Sequence, residues 1–276
     1  MSQQVRESII AGSWYPGSAR QLTRTIDGYM GNVEHAELEG ELVGLISPHA
    51  GYAYSGQTAA YAYDQVLGKS FDVVAIVSPV HRVQVGRFAV TSARAYETPL
   101  GQVGLDEELV AALGDQISLN RVGYDGEHSL EIQLPFLQVA LADFTLLPIM
   151  VGVSSFEAAK ELGAALAQVL RGKKALIVAS SDLHHIENYD QVVRRDQVVV
   201  DAIASLDMDR IRDALSPWDC SVCGRIPIYA MLTAARQIGA NRVHVLHQTN
   251  SGDVTGIRTP GNYTVGYMAA AVYKGP

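Results

Sequence analysis

The sequence predicts a single α/β domain over residues 1–276, with a central mixed, largely parallel sheet flanked by helices. Three near-continuous apolar runs, at residues 42–46, 71–77 and 175–179, read as strands buried on both faces, as parallel strands are. Ala-rich or amphipathic stretches between them read as helices, the alternation of a βαβ architecture. The 276 residues are 48% hydrophobic and 18% charged, which excludes a disordered chain and supplies a substantial core. No repeat, low-complexity tract or linker divides the chain.

The elements follow in order. Residues 11–16 form a compact loop, with Trp14 and Tyr15 read as packing residues. Ser18 is the candidate cap of a helix over residues 19–30. After a polar loop comes the first buried strand, ended by Pro48, which has no N–H for a ladder. Residues 55–63 are the helix behind it, and the second strand ends in Ser78-Pro79-Val80-His81-Arg82. Residues 88–91 are a further strand and 96–101 a turn; at 106–113, Asp106, Glu107 and Glu108 suit the positive end of a helix. Ser129 is the candidate cap of a helix at 130–141, in which Pro135 bends the helix or moves its start downstream. Pro148 suggests an edge or a bulge in the strand at 144–151. The helix at 156–170 is closed by Arg171 and Gly172 and precedes the third buried strand. Helices follow at 191–206, with Val193, Val198 and Ile203 as the buried stripe, and at 208–215. Residues 217–219 are a turn, 228–238 an apolar helix, and 243–247 and 263–272 final strands, a helical ending being the alternative for the last.

Charge and cysteine use narrow the class. A net charge of −8 argues against a general nucleic-acid binder. No apolar run reaches membrane-spanning length, and residues 1–8 are polar without a signal-peptide core. Two cysteines three residues apart build no disulfide framework, so a cytoplasmic protein is expected.

Three strand ends carry the chemistry. His49 sits in Ser47-Pro48-His49-Ala50-Gly51-Tyr52, at the carboxyl edge where open α/β sheets bind ligands. His81 follows 32 residues later, after a second strand and one intervening helix. A βαβ crossover makes such strands parallel and brings both imidazoles to one edge, where they can meet at one metal ion. Two unrelated loop histidines are the competing reading. The third strand ends in Ser180-Ser181-Asp182-Leu183-His184-His185; one histidine of that pair enters a site while the other faces solvent or Asp182.

Two histidines and one anionic ligand form the open three-point site that non-haem Fe(II) oxygenases use. Asp182, Glu127 and Cys223 are candidates for the third position. Cys223 precedes a helix, whose dipole lowers a thiol pKa. His128 reads as a cap neighbour, a partner of a ligand or a substrate contact. The Cys220-x-x-Cys223 pair also has readings as a redox dithiol or half a zinc site, though no second pair supplies the missing ligands. A serine nucleophile at Ser180 or Ser181 is a further alternative, while Walker, GxGxxG, HExxH and GxSxG motifs are absent.

Seven segments together carry a family resemblance: AGSWYP at 11–16, SPHAGYAYSG at 47–56, SPVH at 78–81, YETPLG at 96–101, EHSLEIQLPF at 127–136, SSDLHH at 180–185 and CGRIPI at 223–228. With them the chain resembles the Memo family, which is similar to the catalytic subunits of class III extradiol ring-cleaving dioxygenases. The resemblance implies that dioxygenase-like fold and a metal triad of His49, His81 and Cys223, with Cys223 where the dioxygenases have Glu. It implies Fe(II) as the metal and His185 as the base toward a catechol-like small molecule, while the softness of a thiolate ligand makes Cu or Zn the alternatives. Asp182 and His128 are then orienting partners, and Tyr52, Arg82 and Glu127 are expected at the substrate, Arg82 as a clamp for an anionic group. A radical-SAM protein is the partner the resemblance suggests. The sequence departs from the family at Arg82, where many relatives have a second histidine, at Gln133, histidine in some relatives, and at Cys220, which lies outside the pattern.

Overall fold

Alternation of apolar strands with helices along the chain builds a sheet covered on both faces. The computed structural model describes residues 5–276, so the first half of the polar opening stretch lies outside the described residues. In chain order the elements are β1 (Val5–Arg6), α1 (Ala19–Met30), β2 (Glu41–Ser47), α2 (Tyr52–Asp64), β3 (Val73–Pro79), β4 (Phe88–Thr91), β5 (Ala95–Thr98), β6 (Gly101–Gly104), α3 (Glu107–Gln116) and β7 (Asn120–Val122). They continue as α4 (Leu134–Ala140), β8 (Thr145–Val151), α5 (Phe156–Val169), β9 (Ala175–Ser180), β10 (His185–Ile186), α6 (Tyr189–Ser205), α7 (Met208–Leu215), α8 (Arg225–Ile238), β11 (Arg242–Asn250), α9 (Ser251–Thr255) and β12 (Thr264–Lys274). No helix among the described residues is long and apolar enough to cross a membrane.

The main sheet runs β10-β12-β2-β9-β3-β8-β4-β7, with β11 paired to β12. Its centre, β2, β9, β3 and β8, is parallel, and β12 and β4 flank it antiparallel. The fold is therefore the mixed, centrally parallel α/β domain that the sequence predicts. Side-chain period explains the double burial. Along β3, Val73, Ala75 and Val77 enter one apolar layer, while Val74 and Ile76 enter the other. The first layer is closed by α3 and α5–α8, the second by α1, α2 and α4. A side chain such as Ile76, with no exposed surface, contributes about 1.5–3 kcal/mol by burial.

Several local expectations change. β9 lies between β2 and β3, so the crossover skips one strand while keeping both carboxyl ends on one edge. The stretch expected as a turn at 96–101 instead forms most of the β5–β6 hairpin, which joins β1 in a second, three-stranded sheet. Asp106 caps α3 by accepting the Leu109 N–H at 2.9 Å, whereas the Ser18 side chain makes no cap bond on α1. Ser129 is no cap either: its hydroxyl donates to the Pro79 carbonyl at 2.6 Å. Pro135 moves the start of the α-helix downstream, after a 3₁₀ turn at Glu131–Gln133. β8 is internal despite Pro148, because β4 pairs only with Met150 and Val151 and leaves the proline without a ladder partner on that side. On α6 Ile203 is buried as expected, while Val193 and Val198 are exposed and their neighbours Val192 and Val199 take the buried positions.

Candidate metal centre and its cavity

His49 follows the end of β2, His81 the end of β3, and Cys223 the loop before α8. The parallel centre of the sheet therefore delivers both imidazoles to one edge, and the loop brings the thiol across. One donor atom from each residue lies within 4.8 Å of the other two, and Cys223 Sγ is 3.1 Å from His49 Nε2. Gly224 permits this approach: a Cβ there would fall 2.3 Å from Ser181 Cβ and 2.5 Å from the Ser180 carbonyl, inside the end of β9.

The hydrogen bonds around His49 fix its tautomer. Ser180 donates its one hydroxyl proton to the Ser129 carbonyl at 2.6 Å. Its oxygen accepts from Gln133 Nε2 at 2.8 Å and meets His49 Nδ1 at 2.9 Å. With the Ser180 proton already used, His49 Nδ1 must be the donor, which leaves a lone pair on Nε2. Gln133 is itself fixed, since Nε2 also donates to the Pro48 carbonyl at 3.0 Å and Oε1 accepts from Tyr63 at 2.6 Å. His49 is 2% exposed; burial first, then His81, His128 and His185, push its pKa well below the ordinary value and keep it neutral. A neutral imidazole with a free Nε2 is what a metal ligand requires.

His81 is held through its backbone. The Glu127 carboxylate accepts the N–H groups of His81 at 2.8 Å, Arg82 at 2.6 Å and Val83 at 2.8 Å. Burial opposes ionisation of Glu127, but His81 and these three donors outweigh it and bring its carboxyl down to about 2. Glu127 therefore shapes the loop, and the expectation that it contacts substrate is corrected. His81 Nδ1 stays 3.7 Å from the carboxylate, too far for a hydrogen bond, and the side chain is 30% exposed.

His49 and His81 line a cavity of about 610 Å³ whose other walls include Trp14, Tyr54, His128, Asp182, His185 and Tyr267. Trp14 packs against the His128 ring at 4.4 Å between centroids, so it is a wall of the site and not only a packing residue. Asp182 Oδ1 accepts the His49 and Ala50 N–H groups at 2.7 and 3.3 Å. Burial raises its carboxyl to about 7 despite those donors. His128 is brought down to about 4 by burial, then by His81 and Arg82. His185 is brought down to about 4 by burial, then by His81 and His184. His128 Nδ1 and His185 Nε2 are buried without a hydrogen-bond partner among the described residues.

Other expectations are revised by position. Tyr52 is turned into the core against Phe136, and its hydroxyl donates to the Ile132 carbonyl at 3.0 Å, so it does not face substrate. Arg82 is exposed over the Trp14 ring at 5.9 Å and is not a wall of the cavity. Of the adjacent histidines, His185 lines the cavity and His184 is directed to Asp196, not to Asp182 or solvent. The helix dipole does not decide the Cys223 thiol: burial and then Asp182 push its pKa up. The thiol must lose its proton to act as a ligand, so metal binding there releases one proton. Ser180 and Ser181 are occupied with structural bonds and carry no nucleophile role.

Sequence reasoning did not reach Glu131, which is fully buried and accepts from Tyr15 at 2.6 Å, Ser8 at 2.5 Å and the Arg6 guanidinium. These bonds fasten the N-terminal segment and the loop of Tyr15 to the 3₁₀ turn before α4. Its Arg6 partner lies 125 residues away, and no local pattern marks that pairing.

The sequence pattern of the Memo-like protein family matches residues 6–271. The chain belongs to the Memo family. A MEMO1 family protein of Methanosarcina mazei is 37% identical over 98% of this chain and 99% of its own length. One from Pyrobaculum aerophilum is 33% identical over 98% of this chain and 100% of its own. The fold also resembles the crystal structure of an uncharacterized protein from Escherichia coli K12, with a TM-score of 0.57 and 12% identity, over 84% of this chain and 99% of that one. That last likeness is one of fold alone.

The donor set of this Memo-family protein fits a metal ion. It offers two imidazoles and a thiol from three elements, one imidazole held in the ligating tautomer, and no lysine or arginine among the described cavity walls. A neutral nitrogen and a thiolate both suit transition metals.

Proposed function

We propose that this Memo-family protein is a non-haem Fe(II) oxidoreductase that uses dioxygen to oxidise a small catechol-like molecule. The observation that carries the reading is the convergence of His49, His81 and Cys223 on one point, with both histidines also lining an aromatic cavity. The metal, when bound, supplies a redox-active Lewis acid with positions open to ligands. The chain's residues supply the rest. Trp14, Tyr54 and Tyr267 offer apolar walls to a planar ring. The unpartnered Nε2 of neutral His185 accepts a hydrogen bond from a substrate hydroxyl. Asp182, at about 7, is the better proton acceptor near neutral pH, and its Oδ2 accepts no hydrogen bond from the described residues. Its role thus moves from orienting partner to proton acceptor.

The test is anaerobic loading with Fe(II), followed by oxygen-uptake measurements across a panel of catechols and phenols. Metal-dependent uptake, diminished in Asp182→Asn and His185→Ala, is expected; no uptake above the metal-free protein across the panel overturns the reading. One observation favours a second reading. A thiol in the ligand set shifts preference toward softer ions, which suits a Cu or Zn binder working with a partner such as a radical-SAM protein. Copper or zinc in the purified protein, with no oxygen uptake, would support that alternative.

A further inference from the structure

His81 belongs to two groups of potential ligands. One is the triad with His49 and Cys223. The other is His81, Glu127 and His128, whose donor atoms also lie within 4.8 Å of one another. The groups share only His81 and differ in chemistry. The first carries a thiol, whereas the second is two imidazoles and a carboxylate.

The segment that carries Glu127 and His128 is tied down at four points. Asp125 Oδ1 accepts the Glu127 N–H at 3.0 Å, and Arg6 donates to the Glu127 carbonyl at 2.7 Å. The His128 carbonyl accepts the Ile132 N–H at 3.0 Å. Ser129 reaches the Pro79 carbonyl at 2.6 Å and so joins this segment to the loop of His81. Two of the three ligands therefore stand on a fixed backbone, and the third is the adjustable imidazole.

Bonding capacity is left over where the three side chains meet. His81 Nδ1 stands 3.7 Å from Glu127 Oε2, beyond hydrogen-bond length. Two donors around a tetrahedral ion with bonds of about 2.1 Å are about 3.4 Å apart, so the gap is close to one that a cation spans. Glu127 Oε2 accepts only the His81 N–H, while Oε1 accepts two, so a lone pair remains on Oε2. The His128 ring lies 4.8 Å from that of His81 between centroids. His128 is 6% exposed, and its Nδ1 is buried with no hydrogen-bond partner among the described residues. A buried nitrogen of that kind calls for a ligand.

A neutral imidazole has one lone pair, so His81 serves one group at a time. We propose that the two groups are alternative seats for one ion, selected by its softness. Fe(II) and softer ions take His49, His81 and Cys223; a harder ion such as Mn(II) takes His81, Glu127 and His128. Thiolate suits soft ions and carboxylate suits hard ones, which sets the direction of the choice. The second seat is the weaker. Glu127 spends three of roughly four lone-pair positions on backbone N–H groups, so its ion leaves during purification without added metal. The inference does not rest on the oxidoreductase reading, because Mn(II) binding is read without substrate or dioxygen.

The test titrates the full chain with Mn(II), counting the free ion by electron paramagnetic resonance. Cd(II) is the soft probe, read by its thiolate charge-transfer absorption. Wild type should bind one equivalent of Mn(II). His128→Gln and His128→Ala should each weaken Mn(II) at least about tenfold, while Cys223→Ser changes it less than about twofold. For Cd(II) the order should reverse. One equivalent of Cd(II) added to the Mn(II)-loaded wild type should develop the thiolate band and release the Mn(II). No Mn(II) bound by wild type at about 1 mM overturns the proposal. So does Mn(II) affinity that falls about tenfold in Cys223→Ser, or Mn(II) and Cd(II) held together. These outcomes are read on wild type and Cys223→Ser, however the His128 variants fold.

Discussion

His49 and His81 end parallel strands on the same sheet edge and point at the same place, but they are held by opposite means. His49 is buried, and its ring is fixed through Nδ1 by a saturated Ser180 that bonds Gln133 and Ser129, with Tyr63 holding Gln133 in turn. His81 has no such bond on its ring; Glu127 secures only its backbone, and the side chain is 30% exposed. One donor is thus preorganised in tautomer and direction, while the other is adjustable on a fixed loop. A site built this way keeps one rigid reference point and lets the second imidazole follow the ligand. Preorganisation of this kind is what supporting groups around a metal ligand provide.

The comparison can be broken in graded steps. His49→Ala removes the rigid donor, and metal affinity should fall by more than the roughly 10- to 100-fold that loss of a supporting group costs. Ser180→Ala leaves all three donors in place but frees the His49 tautomer. Affinity by competition with a chelator should drop about 10- to 100-fold, and the unpaired Gln133 and Ser129 groups should each cost about 1–3 kcal/mol of stability. Glu127→Gln should weaken metal binding about tenfold and raise hydrogen exchange at the amides of His81, Arg82 and Val83. If Ser180→Ala left affinity intact while Glu127→Gln abolished it, the assignment of rigid and adjustable donors would be reversed.

A third histidine sharpens the contrast, because His184 is held as a cation where His49 is held neutral. Its folded-state pKa of about 9 lies above the ordinary 6.5. The stability it contributes is full below about pH 6.5 and is lost as pH rises through about 9. The melting temperature should decline over that window, and Asp196→Asn should flatten the decline. The smallest effect belongs to Arg82→Ala. Its guanidinium rests over Trp14 in solvent, so thermal unfolding should show a loss of about 0.5–1 kcal/mol with metal content unchanged.

The sequence was informative where the chemistry is local. Apolar runs ended by Ser-Pro placed His49 and His81 on strand ends, and a buried parallel strand leaves a continuous apolar signature that survives without structural knowledge. Orientation was harder. Tyr52 sits within the motif around His49, but as the first residue of α2 its ring turns into the core. On α6 Ile203 was placed correctly but the two valines were not, because valines stand at both 192 and 193 and at 198, 199 and 200, so composition alone does not choose between neighbours. The 96–101 segment carries Pro99 and Gly101 and looks like a turn, and its strand pairing depends on β1, some 90 residues away in sequence. Glu131, Ser180 and Gln133 were illegible as supports because each acts on partners from distant segments. The same holds for Asp196, which is legible only once its bonds to His184 are seen.

The measurement closest to the central claim is the metal content of protein purified without added metal or an affinity tag, beside the Cys223→Ser variant. A centre formed by His49, His81 and Cys223 predicts near-stoichiometric iron in the wild type and its loss in the variant. Equal metal in both proteins, or none in either after anaerobic loading with Fe(II), would contradict it.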